Sequence, residues 1–232
     1  MNATPSPREL RVVPPISPRS GSAVPEIELS GPAPGRQSMP DDRDLARRLS
    51  RVELITLDAA VWRHLSPREQ PRPDSGEGAR GTGGRFNPPG SFPVVYGSLS
   101  RTAAGAEFRR LAKRHPIGIE KLLPRHVYRF RLKSAKAVDL RQPPIRRAVG
   151  LPSTGLASVH SMHTQLIGEV ARALGIEVII APSLSGQGDM VAIFPDLIWR
   201  SGWEIRHVEF WARMDDVPGA DDAESFVSGM TG

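Results

Sequence analysis

The chain contains no cysteine. Disulfide staples, thiolate nucleophiles and cysteine-ligated zinc sites are therefore excluded. No apolar run approaches the length needed to span a bilayer, and the first residues lack the hydrophobic stretch of a secretory signal. These two absences lead us to expect a cytoplasmic protein without a membrane partner. No Gly-x-Gly-x-x-Gly follows a strand-like segment, which argues against a dinucleotide site of the Rossmann type. No aromatic-interleaved RNA-binding motif appears, so no direct nucleic-acid contact is expected. Aromatic residues are only 6% of the chain.

Positive charge is abundant. The 232 residues carry a net charge of +6, yet residues 1–40 account for +1 and residues 215–232 for −5, which leaves +10 on residues 41–214. Most of that excess is scattered arginine, a bias towards a polyanionic substrate or partner. The first forty residues hold nine of the 23 prolines. Such a segment buries too little apolar surface to offset its ordering entropy, and it reads as a disordered arm. One folded domain is expected over 41–214, followed by a frayed acidic tail over 215–232.

Within that domain, a short helix begins after Asp41, with acids in its first turn and arginines later. Strand-like pieces follow around VELITL and VWRHL. The next segment, SPREQPRPDSGEGARGTGG, is long, polar and rich in proline and glycine, as a lid over a site would be. Further strands are expected at HVYRFRL, AVDLR, IEVIIA, MVAIF and EIRHVEFWAR. An amphipathic helix carrying His163, Leu166, Ile167, Val170, Ala171 and Leu174 on one face is closed by Gly175. QPPIRRAVGLPSTGL and PSLSGQGD read as loops. Clustered strands with two main helices between them make an α+β fold.

The chain is organised around GGRFNPPGSFPVVYGSLSRTAAGAE, from Gly83 to Glu107. Glycines that tolerate positive φ and prolines that fix theirs hold Arg85 rigidly beside a strand carrying Tyr96. A guanidinium so held presents a planar fork of donors to a phosphate. From Ser100, an N-cap, a helix runs to Pro116 with Ala104, Phe108, Leu111 and Ala112 inward and Arg109, Arg110, Lys113 and Arg114 outward. Glu107 falls on or beside the inward stripe. A carboxylate there requires either a pairing arginine or a purpose. His163 reads as a core or pocket-edge histidine, and His160 with His163 makes too small a set for a metal site.

GGRFNPPG, then VVYGSLS, then a glutamate in the following helix resembles the core of the RES domain, with Phe86 in place of the usual tryptophan. IEVIIAPSLSGQGDMVAIF is similar to the family's later segment, with Ser183 in the serine position, and VWRHLS supplies Arg63 in the early arginine position. The resemblance runs from about Leu54 to Phe210. It implies a compact split β-sheet with flanking helices, like that of the diphtheria-toxin-like ADP-ribosyltransferases. It also implies a toxin of a toxin–antitoxin pair that hydrolyses NAD⁺ at the nicotinamide–ribose bond, with NAD⁺ as substrate rather than cofactor. The implied roles are diphosphate binding for Arg63 and Arg85, a ribose contact for Tyr96, and stabilisation of the oxocarbenium face by Glu107. Ser183 would donate to the carboxamide or the ribose. The implied partner is an Xre-type helix-turn-helix antitoxin that masks the Arg63/Arg85 cleft. Transfer of ADP-ribose to a protein uses the same half-reaction and stays open. A non-catalytic basic module for nucleic acid is the rival from another class.

Overall fold

A computed structural model describes residues 41–68, 72–115, 118–151, 162–198 and 203–219. The proline-rich arm, Pro116, His160 and the tail beyond Gly219 lie outside the described residues. Among the described residues five helices and six strands follow one another: α1 (Asp42–Leu49), β1 (Ile55–Leu65), α2 (Glu77–Thr82), β2 (Val95–Ser98), α3 (Arg101–Arg114), β3 (Arg125–Asp139), α4 (Pro143–Ala148), α5 (Met162–Ala173), β4 (Val178–Pro182), β5 (Asp189–Ile193) and β6 (Trp203–Trp211). Single 3₁₀ turns cover Glu120–Leu122 and Met214–Asp216.

The sheet is split into two antiparallel halves that meet on β3. One edge of β3 pairs along the whole of β1, from Ile55↔Ala137 to Leu65↔His126. The other edge pairs antiparallel with β6 over Arg125–Leu132 and then parallel with β4 over Ala137–Asp139. From β4 the second half continues through β5 to β2. The pairing Trp62↔Ser98 returns β2 to β1, so the halves touch at two seams. This is the split-sheet α+β architecture that the sequence led us to expect.

The apolar sequence pattern explains which faces close. Val61, Phe130, Leu132, Val178, Ile180, Val191 and Ile193 are buried between the halves. A second layer, with Phe86, Val94, Leu140, Ile167 and Phe194, lies under α1 and α5. Ala104 and Phe108 of α3 pack on Val127, Trp211 and Val217. Each such large side chain contributes roughly 1.5–3 kcal/mol on full burial.

Several elements depart from the sequence reading. VELITL and VWRHL join into the single strand β1, and HVYRFRL with AVDLR into the 15-residue β3. Polar residues do not break these strands because one face stays in solvent beside charge pairs such as Lys133 with Asp58. The expected loops contain α2 and α4, the latter started by two prolines, which need no intrahelical acceptor there. Leu111 and Leu174, assigned to inward stripes, are 38% and 41% exposed. Folded structure also continues past 214. Asp216 accepts the amides of Ala212 and Arg213, and Val217 is buried, so the first acidic residues are part of the body rather than of a frayed tail.

Candidate active site

The turn after α2 is built from the inside out by Asn87, which is fully buried. Its amide donates to the carbonyls of Ala79 (2.8 Å) and Phe92 (3.3 Å), and its Oδ1 accepts the Tyr96 hydroxyl at 2.8 Å. The same hydroxyl oxygen accepts the Phe86 amide at 2.8 Å. Tyr96 is thus committed to the turn, and burial raises its pKa well above the ordinary value. The resemblance implied a ribose contact for Tyr96; with the hydroxyl engaged in the turn, the ring is what lines the cavity. Gly84 is required where the ring crosses, because a Cβ there would lie 2.6 Å from it. On the far side α5 presses Gly168 against the Phe86 carbonyl, where a Cβ would come within 1.7 Å. Gln165 adds a donor to the Gly84 carbonyl at 3.0 Å.

Arg85 emerges from this turn almost wholly buried, with a terminal nitrogen 2.7 Å from the Pro182 carbonyl and its guanidinium over the Phe86 ring. Burial lowers its pKa to about 10, partly offset by the charge of Glu107, so it remains a cation at neutral pH. Arg63 lies across the seam. Below Trp62↔Ser98 the strands diverge, and the Arg63 guanidinium spans the gap to the Tyr96 carbonyl at 2.8 Å.

The gap between those strands opens into a cavity of about 450 Å³. Its walls include Arg63 and His64 of β1, Tyr96 of β2, Glu107 and Arg110 of α3, Arg85 and Arg125. Among the described residues, four arginines and one carboxylate therefore line it. Among the sequence candidates, Arg63, Arg85, Tyr96 and Glu107 come together here. Ser183 stands behind them. It is 7% exposed and donates its hydroxyl to Glu107 Oε1 at 2.5 Å, while the Ser185 amide reaches the same oxygen at 3.3 Å. Its hydroxyl holds the carboxylate, and it is not among the side chains that line the cavity. Glu107 Oε2 lies 3.7 Å from Arg110, and the carboxylate is 25% exposed.

Arg110, Arg125 and His64 were not picked out in the sequence. Arg110 reads as a solvated cation, although its spacing three after Glu107 puts both on one helix face. Arg125 is buried with its guanidinium over the Phe108 ring. His64 packs edge-on to Phe108 and against Trp211, with a buried Nδ1 that has no hydrogen-bond partner among the described residues. Burial, then the charges of Arg125 and Arg63, lower its pKa to about 3, so the ring is neutral. His163 approaches the Val149 carbonyl at 3.2 Å, a structural contact away from this cavity. Among the described residues no three potential metal ligands converge, and no helix is long and apolar enough to cross a membrane.

The family model described as the RES domain matches residues 60–212. A protein named NAD(+) phosphorylase MbcT, found in Mycobacterium tuberculosis and in Mycobacterium bovis, is 32% identical over 155 residues, spanning 66% of this chain and 82% of its own. A crystal structure of the M. tuberculosis MbcT–MbcA toxin–antitoxin complex superposes with a TM-score of 0.64 at 24% identity. That match covers 71% of this chain and 90% of the other.

Proposed function

The chain belongs to the RES domain family, and from that membership and the cavity we propose that it cleaves NAD⁺ at the nicotinamide–ribose bond with inorganic phosphate as the acceptor. The observation that carries this reading is four arginines placed around one partly buried carboxylate. A dinucleotide brings a diphosphate, which the guanidiniums match in charge and fork geometry. Its ribosyl carbon becomes cationic as the C–N bond breaks, and Glu107 supplies the opposing charge. Nicotinamide departs as a neutral base that takes the bonding electron pair, so no acid is needed. A neutral His64 is compatible with that.

In this reading Arg63 and Arg85 hold the diphosphate, and the Tyr96 ring forms a wall against the ribose. Glu107 faces the reacting carbon. Ser183 and Ser185 fix the Glu107 carboxylate, so they are positioning residues. The sequence alone pointed to water as the acceptor; we assign phosphate instead because the relative at 32% identity is named a phosphorylase. Loss of the NAD⁺ pool would make the unrestrained enzyme toxic to its own cell. We assign it an antitoxin partner that covers the Arg63/Arg85 mouth, of the Xre-type helix-turn-helix class.

The test is product analysis with purified protein, NAD⁺ and increasing phosphate. Nicotinamide together with ADP-ribosyl phosphate supports the proposal. Free ADP-ribose that does not respond to phosphate returns the acceptor to water, and label on protein returns it to transfer. Absence of nicotinamide release refutes the enzymatic reading.

A further inference from the structure

A second concavity, about 590 Å³, runs along the outer face of α3, beside the loop that carries Ser185 and Gln187. Its floor is cationic: Arg109, Arg110, Lys113 and Arg114 all border it. Lys113 and Arg114 are exposed, with no acidic side chain within 4 Å among the described residues. Arg109 donates to the carbonyls of Val217 and Pro218, which fixes its charge in place. Arg110 leans the other way, towards Glu107, and together with Leu184 it borders both this groove and the central cavity. Burial lowers the Arg110 pKa, which accords with a cation held partly away from water.

We propose that this groove is the entry and holding site for the anionic acceptor, inorganic phosphate, with Lys113 and Arg114 gathering it and Arg110 delivering it beside Glu107. The inference rests on the phosphorolytic reading above. Its physical basis is a conflict inside that reading. The carboxylate that stabilises the cationic ribosyl carbon repels a phosphate dianion approaching the same carbon, but has no such effect on water. An anion is used there only if a cation accompanies it. Arg110 is the cation on the Glu107 side, and the groove leads to it from solvent, whereas Arg63 and Arg85 are engaged by the dinucleotide. In the step itself, a phosphate oxygen forms a bond to the ribosyl carbon as the C–N bond breaks towards nicotinamide. The pyridinium charge is neutralised by the departing electron pair, and no oxidant or extra proton is needed.

The experiment is steady-state kinetics with phosphate and NAD⁺ varied separately. The double substitution Lys113→Ser with Arg114→Ser is expected to raise KM for phosphate about tenfold, with KM for NAD⁺ within twofold of wild type. Arg110→Gln is expected to lower kcat/KM for phosphate further and to divert product towards free ADP-ribose. As a control, Arg131→Ser with Lys133→Ser removes the same charge from β3, where both side chains pair with Asp58, and leaves KM for phosphate unchanged. A phosphate-dependent enzyme whose KM for phosphate is unmoved by Lys113→Ser with Arg114→Ser, or is moved equally by the control, overturns the groove and leaves the proposed reaction standing. Wild-type turnover indifferent to phosphate overturns both.

Discussion

Replacing Glu107 by Gln separates the charge of the carboxylate from its shape. Oε1 accepts the Ser183 hydroxyl at 2.5 Å and the Ser185 amide at 3.3 Å, and an amide oxygen can accept both. What is lost is the charge, felt by Arg110 at 3.7 Å, between side chains 25% and 19% exposed, and by the buried Arg85. The Arg110 pair contributes about 0.2–1 kcal/mol, and at about 2–4 °C per kcal/mol the variant should stay folded with its melting temperature lowered by only a few degrees. Turnover should fall by about 10²–10³, the usual effect of removing one preorganised group that faces developing charge. A second signature has the opposite sign. With the negative charge gone, KM for phosphate should decrease, because the anion no longer meets a carboxylate at the reacting carbon. Nicotinamide release and thermal melting on the same preparation read all three. Activity above roughly a tenth of wild type, against the expected factor of at least about 10², refutes the role given to Glu107.

Other perturbations test the frame around the site. His64 is held neutral down to about pH 3 in the folded chain, whereas an unfolded histidine protonates near pH 6.5. The unfolded state therefore binds the extra proton below pH 6.5, and stability should drop by up to about 2 kcal/mol from pH 7 to pH 5. Denaturant titrations should show a flatter profile for His64→Gln, and an unchanged slope would contradict this. Arg141 grips buried Asp139 through both carboxylate oxygens at 2.8 Å and reaches Asp189 at 2.9 Å. Burial pushes the Asp139 pKa up, but the bonds and charge of Arg141 outweigh it and hold the carboxyl below its ordinary value. Arg141→Ala should cost about 3 kcal/mol at neutral pH, and the deficit should shrink as acid protonates Asp139 below about pH 4; a deficit independent of pH argues against the pair. Gly168→Ala forces α5 away from Phe86 and should cost about 1–3 kcal/mol, with turnover falling further than for an equally destabilised variant distant from the turn.

How much of this was legible in the sequence depends on the kind of signal each residue leaves. Glu107 could be found because a carboxylate interrupting an apolar helical stripe breaks a pattern, and Arg85 because rigid turn residues flank it. The split sheet followed from the ordered motifs. Arg110 left no mark, since an arginine on an α3 already rich in arginine looks solvated until the loop of Ser185 closes over that face. His64 was masked by strand alternation. Neighbours on a strand point to opposite sides, so Arg63 and His64 should not share a site, yet both line the cavity where β1 and β2 part. Asn87 looked like one more turn residue. Its function as the buried hub of the turn depends on Ala79, Phe92 and Tyr96, which no local window brings together. Resemblance gave Ser183 a position but not the direction of its hydroxyl, which points to the Glu107 carboxylate.

The split in the sheet and the charge of the cavity are one design feature seen twice. A sheet closed at the β1–β2 seam would satisfy the Tyr96 carbonyl from a backbone amide. Here a guanidinium satisfies it, and the same side chain remains on the cavity wall. Arg85 repeats the device at the Pro182 carbonyl. Taking a full cation out of water beside peptide dipoles carries an electrostatic deficit. The depressed pKa of Arg85 is the mark of that deficit. Glu107 reduces it but cannot cancel four cations. On the proposed reading, this cationic wall is what an incoming dinucleotide meets, and the fold rather than the ligand has already met the cost of assembling it. A strand-paired seam would be more stable and would have nothing to offer a diphosphate.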